Sequence, residues 1–236
     1  MKLTRQDGEL ESSPPFSPHR QADGISRRAL FKVGVGGALL VAIGGKWMPF
    51  SQALEEVKAD YALIIDLNKC TGCGACAQAC NQRNELPEGK SFIRRLRKEE
   101  EDHEHCWCLP VQCQHCQDAP CARVCPAGAT YRHPSGVVLV NEKACVGCKY
   151  CAVACPYDAR IYDEHKGVVD KCWLCLDWVL GGGQPACVQA CVTGARIFGR
   201  RDDPEIAEIL ASGRAQPLHP EFGTRPGVVS YIFRGS

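Results

Sequence analysis

The sequence predicts an α+β fold in which a small cysteine-bearing unit has been duplicated, and three observations predict it. Sixteen of the 18 cysteines fall into four groups of four, all at or after Cys70. Short β-branched apolar stretches, Tyr61-Ala62-Leu63-Ile64-Ile65-Asp66 and Gly136-Val137-Val138-Leu139-Val140, read as strands leading into two of those groups. The surroundings also repeat. Asp66-Leu67-Asn68-Lys69-Cys70-Thr71-Gly72-Cys73 parallels Asn141-Glu142-Lys143-Ala144-Cys145-Val146-Gly147-Cys148, and Cys125-Pro126-Ala127-Gly128-Ala129 parallels Cys191-Val192-Thr193-Gly194-Ala195.

Residues 1–53 differ from everything after them. Residues 1–25 are polar, charged and rich in Ser and Pro. Ser26-Arg27-Arg28-Ala29-Leu30-Phe31-Lys32 follows, and then thirteen uncharged residues from Val33 to Gly45. That run is too short to span a bilayer, which takes roughly 17–25 residues. A basic stretch, a short apolar run and small residues at Ser51-Gln52-Ala53 describe a cleavable signal peptide over 1–53. The paired arginines mark the twin-arginine type, with Phe and Leu exchanged relative to its S-R-R-x-F-L-K pattern. Export places the mature protein in the periplasm. No later stretch is apolar enough to cross a membrane, so any membrane association runs through a partner.

The mature chain reads as a unit over 54–200 followed by a C-terminal extension over 201–236. The charged stretch 94–105 reads as a solvated insertion or helix. Asp203-Pro204 opens a short helix over Glu205–Leu210, and Val228–Phe233 forms a last strand. The net charge of +1, with no basic stripe, gives no electrostatic argument for nucleic acid. No Ser/His/Asp, paired-carboxylate or phosphate-loop arrangement points to catalysis.

The cysteine spacing carries the chemistry. Cys70, Cys73, Cys76 and Cys80 are spaced C-x2-C-x2-C-x3-C, as are Cys145, Cys148, Cys151 and Cys155, with Pro156 next. Cys113, Cys116, Cys121 and Cys125 widen the middle gap to four, with Pro126 next. Cys172, Cys175, Cys187 and Cys191 widen it to eleven. A cubane presents four iron corners, and three thiolates from one tight loop can hold three of them. Gly72 and Gly147 sit where such a turn wants φ > 0 or no side chain. The fourth cysteine is expected at a helix start, pointing away. C-x2-C-x2-C-x3-C-P is the run of two-cluster ferredoxins, whose fourth cysteine ligates the other cluster. Zinc ribbons have no use for a third cysteine at the next x2 step, and a disulfide framework has no reason for four registers of one spacing. Iron–sulfur clusters need reduced thiolates, whereas exported proteins meet an oxidising space. A route that moves already folded, loaded proteins resolves that conflict, and the twin-arginine signal is such a route.

From about Tyr61 onward the chain resembles the four-cluster electron-transfer (beta) subunits of the dimethyl sulfoxide reductase superfamily. It is most similar to exported members such as the tetrathionate reductase beta subunit and the ferredoxin-like subunit of nitrite reduction. The likeness rests on Tyr61–Cys80, the run Cys-Val-Gly-Cys-x-Tyr-Cys-x-x-Ala-Cys-Pro-Tyr-Asp-Ala-Arg at 145–160, Asp170-Lys171-Cys172 and Pro185-Ala186-Cys187. The resemblance implies two interleaved bacterial-ferredoxin-like modules with loop insertions, the inner one, about 106–165, inserted in the outer. It implies four [4Fe–4S] clusters with a nested ligand set: Cys113, Cys116, Cys121 with Cys155; Cys145, Cys148, Cys151 with Cys125; Cys70, Cys73, Cys76 with Cys191; and Cys172, Cys175, Cys187 with Cys80. Asn81 and Val192 stand where the pattern has Pro, a change in a turn residue that ligates nothing. It further implies a non-catalytic subunit relaying electrons between a quinol-oxidising membrane anchor and a molybdopterin catalytic subunit. A second reading replaces that subunit with a multihaem cytochrome or a sulfite-reduction complex without molybdenum.

Some residues stay outside this scheme. Cys106 and Cys108 belong to no group and read as a free or disulfide-bonded pair in an insertion. His115 lacks the second histidine that Rieske ligation needs and reads as a neighbour of the ligands or as surface. Trp107, Trp173 and Trp178 read as packing that keeps water off a cluster. For Lys69, Lys143 and Lys171, which flank ligands, two readings stay open: a charge that raises a potential, or a solvated lysine.

Overall fold

The structure, a computed structural model, describes residues 60–99 and 106–235 together with two strands further upstream. Those strands, β1 (Leu40–Ile43) and β2 (Lys46–Pro49), pair antiparallel with Leu40 opposite Pro49. The rest of the expected signal segment lies outside the described residues.

The central sheet begins with β3 (Tyr61–Asp66), which coincides with the strand expected from its β-branched run. All six of its residues are buried because β3 is interior to a four-stranded sheet ordered β10-β3-β12-β11. Here β10 is Arg196–Arg200, β11 is Ala215–Gln216 and β12 is Val229–Ile232. β10 runs antiparallel to β3 and β12 parallel to it, with Tyr231 opposite Ile65. Side chains alternate along a strand, so Leu63 and Ile65 face the main core while Ala62 and Ile64 face a smaller one. The smaller core is closed by α6 (Pro204–Ala211), whose Ile206 and Ile209 pack there. Burying each of those side chains contributes about 1.5–3 kcal/mol. The stretch expected as an extension thus supplies a helix and an interior strand of the central sheet.

Between β3 and β10 lie the cysteine loops and three hairpins. β4 (Arg94–Glu99) pairs with β5 (Cys106–Val111), β6 (Thr130–Arg132) with β7 (Val138–Val140), and β8 (Ile161–Asp163) with β9 (Val168–Asp170). The stretch expected as a solvated insertion or helix is therefore corrected at its start to a strand. Its first arginine is held by partners: Arg94 donates to the Tyr157 carbonyl at 2.7 Å and pairs with Asp158 at 2.9 Å. Five helices carry cysteines or flank them: α1 (Ala75–Arg83), α2 (Pro120–Arg123), α3 (Tyr150–Val153), α4 (Leu176–Leu180) and α5 (Ala186–Gln189). The main core is continuous with these loops, since Cys80, Cys113, Cys116, Cys121, Cys151, Cys172 and Cys187 are among its buried members. Among the described residues no helix is long and apolar enough to cross a membrane.

Candidate metal centres

Each cysteine loop turns in the same way. The residue two after the first cysteine has a positive φ in all four: Gly72 at 70°, His115 at 48°, Gly147 at 68° and Leu174 at 64°. Two of these are the glycines read as turn residues from the sequence. The other two hold the same left-handed conformation with side chains, a strain of about 1–3 kcal/mol each. The third cysteine is the second residue of a short helix: Cys76 in α1, Cys121 in α2, Cys151 in α3 and Cys187 in α5. The fourth lies farther along and not at a helix start as expected. Cys80 sits near the end of α1, and Cys125, Cys155 and Cys191 follow the ends of α2, α3 and α5. Four residues of helix advance the chain by about 6 Å, which carries the fourth sulfur out of its own loop's site.

The sulfurs then gather across groups. Cys70, Cys73, Cys76 and Cys191 line one cavity, here site I. Cys113, Cys116, Cys121 and Cys155 line another, site II. Cys80, Cys172, Cys175 and Cys187 line a third, site IV. At site III, Cys145 and Cys125 face Cys151, and Cys148 lies on the exposed side of the loop. A structural zinc site closes four ligands on one central ion at about 2.3 Å. Among the described residues no three His, Cys, Asp or Glu side chains converge to hold a single metal ion. The thiols ring shared spaces between loops instead of closing on one point.

The electrostatics call for negative charge at these sites. Burial pushes the Cys80 thiol well up, and Cys172, Cys187 and Cys175 push it further. Burial takes Cys116 up to about 12, with the Thr224 hydroxyl opposing and Cys113, Cys121 and Cys155 adding to it. Two buried guanidiniums stand among these thiols. Among the described residues Arg160 Nε and Nη2 have no hydrogen-bond partner, nor does Arg196 Nη2. A buried cation is stable only opposite negative charge, and ligated thiolates around iron and sulfide provide it. The residues present fit iron–sulfur clusters.

The thiols that act on one another electrostatically across groups give the sites an order. Cys76 of site I faces Cys187 of site IV, Cys172 of site IV faces Cys113 of site II, and Cys121 of site II faces Cys151 of site III. The row is therefore I–IV–II–III. Its ends are open, with Cys73 and Cys148 exposed, and all four cysteines of site IV are buried.

Several residues outside the four groups fall at these sites. Cys108 lines site I, on β5, and its Cβ would lie 2.7 Å from a Cβ placed on Gly72. Cys106 opens the same strand, and its side chain lies outside the described residues, as does that of Trp107. His115 is fully buried, and its Nδ1 accepts from the Val138 amide at 3.1 Å. Trp173 is buried against site IV and donates to Asn84 Oδ1 at 2.6 Å, while Trp178 is 39 % exposed under Arg83. Lys69 and Lys143 are exposed. Lys171 is 1 % exposed, lines site II, and donates to the carbonyls of Val138 and Cys172. No role follows from the sequence for Arg196, nor for Arg160 beyond its place in the 145–160 run. The available signal was their common place, five residues after Cys155 and Cys191 in the two copies.

An α+β fold whose loops bring cysteines of different groups together around shared cavities defines a ferredoxin-like iron–sulfur protein. The 4Fe-4S dicluster domain family matches residues 105–201, and the 4Fe-4S binding domain family matches 61–82. The chain is 39% identical over 218 residues to the tetrathionate reductase beta subunit of Salmonella typhimurium, covering 87% of each chain. It is 44% identical over 186 residues to the thiosulfate reductase electron transfer subunit PhsB of Salmonella typhi, covering 77% of this chain and 95% of that one. It is 37% identical over 222 residues to the NrfC homolog of Haemophilus influenzae, covering 89% and 96%. The chain belongs to this family of iron–sulfur electron-transfer subunits.

Proposed function

We propose that this chain is the periplasmic relay of a respiratory reductase, carrying electrons between a quinol-oxidising membrane anchor and a molybdopterin catalytic subunit that reduces a sulfur oxyanion or a similar acceptor. In this reading sites I to IV each hold one [4Fe–4S] cluster through the four cysteines named for it. The two ferredoxin-like modules interleave, sites II and III forming the inner one. When bound, such clusters supply one-electron redox chemistry. The observation that carries the reading is the row I–IV–II–III, open at both ends and buried within.

The chain's own residues serve that role in three ways. The left-handed turns aim three thiols of a loop at one centre. Trp173, Leu174 and Phe92 keep water from site IV. The exposed rims at Cys73 and Cys148 leave a place at each end for a partner to approach. The names of the relatives, a tetrathionate reductase subunit and a thiosulfate reductase electron transfer subunit, support a sulfur-compound reductase as the machine. The twin-arginine pattern at Arg27-Arg28 supports export of the loaded protein.

The test is anaerobic purification of the chain from its native membranes, with iron and sulfide assay and identification of what co-purifies. The expected result is about sixteen iron atoms per chain and a molybdopterin protein. A multihaem cytochrome in its place overturns the molybdenum partner, and a chain without iron overturns the clusters.

A further inference from the structure

Two buried arginines occupy equivalent places in the repeat. Arg160 follows Cys155 by five residues and leads into β8, and Arg196 follows Cys191 by five and opens β10. Both come directly after an Ala, and both are almost completely buried, at 7 % and 5 % exposed.

Each stands between two sites. Arg196 lines the cavity of site I and lies 3.6 Å from the Cys187 sulfur of site IV. It also donates to the Gln112 side-chain oxygen at 2.8 Å. Arg160 lines the cavity of site II and faces Cys121 and Cys113 there, together with Cys151 of site III. Its anchor is the Thr130 hydroxyl at 3.3 Å. Both anchors are neutral, and among the described residues neither arginine is ion-paired to a carboxylate. The positive charge is uncancelled and directed at the sulfurs of two sites at once.

We propose that Arg160 and Arg196 are paired electrostatic bridges, each raising the reduction potentials of the two clusters between which it stands, sites II and III for Arg160 and sites I and IV for Arg196. Reduction adds one electron to a cluster from the donor and makes or breaks no bond. It lowers the cluster's net charge by one, and a fixed cation nearby stabilises that product. One guanidinium between two centres therefore acts on both, and in a buried setting the solvent screens it weakly. A purely structural arginine would fill space and anchor Gln112 or Thr130 with no such paired effect. The inference rests on the cluster reading of the sites given above.

The test is an anaerobic potentiometric titration with dithionite, followed by electron paramagnetic resonance, on the loaded full-length chain and its variants. Arg196→Gln removes the charge while keeping an amide donor. It is expected to make reduction of two clusters at least tenfold less favourable, about 59 mV each for a one-electron couple, leaving the other two unmoved. Arg160→Gln is expected to shift the complementary two. Arg196→Lys and Arg160→Lys keep the charge and are expected to hold all four potentials within that tenfold. Movement of one cluster alone, of none, or equal movement in the Lys and Gln variants overturns the bridges. If the Gln variants lose iron, the Lys variants decide: wild-type potentials support the proposal, and a tenfold fall in them overturns it. Absence of iron from the wild-type chain overturns the underlying cluster reading instead, so the two failures are distinguishable.

Discussion

Gly147 packs against Gly167 so closely that a Cβ on Gly147 would lie 2.3 Å from the Gly167 carbonyl oxygen. Two demands meet at this position. The loop of site III needs φ of +68° there, and the β8–β9 hairpin passes directly over it. Gly147→Ala therefore adds a backbone clash to the strain of about 1–3 kcal/mol that a left-handed non-glycine residue carries. The expected outcome is a lower melting temperature and loss of about a quarter of the iron, the share of one cubane in four. Gly89 provides the comparison, with φ of +74° and nothing near its missing Cβ. Gly89→Ala should lower the melting temperature modestly with all iron retained. Equal iron loss in both variants would remove the hairpin contact from the explanation.

Arg83 and Asp177 join α1 to α4 at 2.5 Å, with side chains only 13% and 10% exposed. The guanidinium also lies over the Trp178 ring at 4.3 Å. Arg83→Met leaves the Asp177 carboxylate largely desolvated and unpaired, which costs about 3–5 kcal/mol for a buried pair. The double variant Arg83→Met with Asp177→Leu removes both charges and should recover most of that loss. Denaturant unfolding of the loaded protein measures both. A double variant no more stable than Arg83→Met would show that stacking on tryptophan, and not the ion pair, ties the two helices.

What the sequence showed and hid follows from where each signal resides. Spacing exposed the four cysteine groups, because a loop that presents several thiols to one centre fixes their separation by local geometry. β-branched runs exposed β3 and β12, and the Asp-Pro pair exposed α6. The burial of Lys171 and His115 was invisible, since flanking residues do not reveal whether a loop faces solvent or a second module. Nor did charge reveal β4: Arg94 and Arg95 read as solvated, yet Arg94 is held by Tyr157 and Asp158, which lie more than sixty residues away. His115 and Leu174 showed no turn signal because they adopt the left-handed conformation without being glycine.

The thiols predict a pH dependence with two opposite signs. In the unloaded fold, burial raises Cys80 well above the ordinary thiol value of 9.0, Cys116 to about 12 and Cys175 to about 11, and nearby thiols contribute. Those groups are protonated at neutral pH, so binding iron as thiolates releases protons. Iron retained on dialysis against a chelator should therefore fall as pH drops from about 8 to about 6. The unloaded fold shows the reverse. A raised folded pKa gives stability that is fully present below 9.0 and is lost as pH rises toward the shifted values. Denaturant midpoints of the unloaded chain should thus decline in the alkaline range. Iron retention that is flat or improves on acidification would contradict thiolate ligation.

Cys155 belongs by sequence to the loop of Cys145, Cys148 and Cys151, yet it lines the cavity of Cys113, Cys116 and Cys121. Burial raises its pKa, the Ala159 amide opposes, and Cys113 is the thiol that adds most. If ligation follows the cavity, Cys155→Ser removes a thiolate from site II and leaves site III its own three plus Cys125. Two reference variants make the assignment readable: Cys116→Ser perturbs site II and Cys148→Ser perturbs site III, each from within its own loop. In anaerobic electron paramagnetic resonance, Cys155→Ser should alter the same signal as Cys116→Ser and spare the one altered by Cys148→Ser. The opposite match would mean that each loop keeps its own fourth cysteine. The inner module would then not be interleaved through exchanged ligands, and the shared cavity of Cys155 and Cys113 would reflect packing alone.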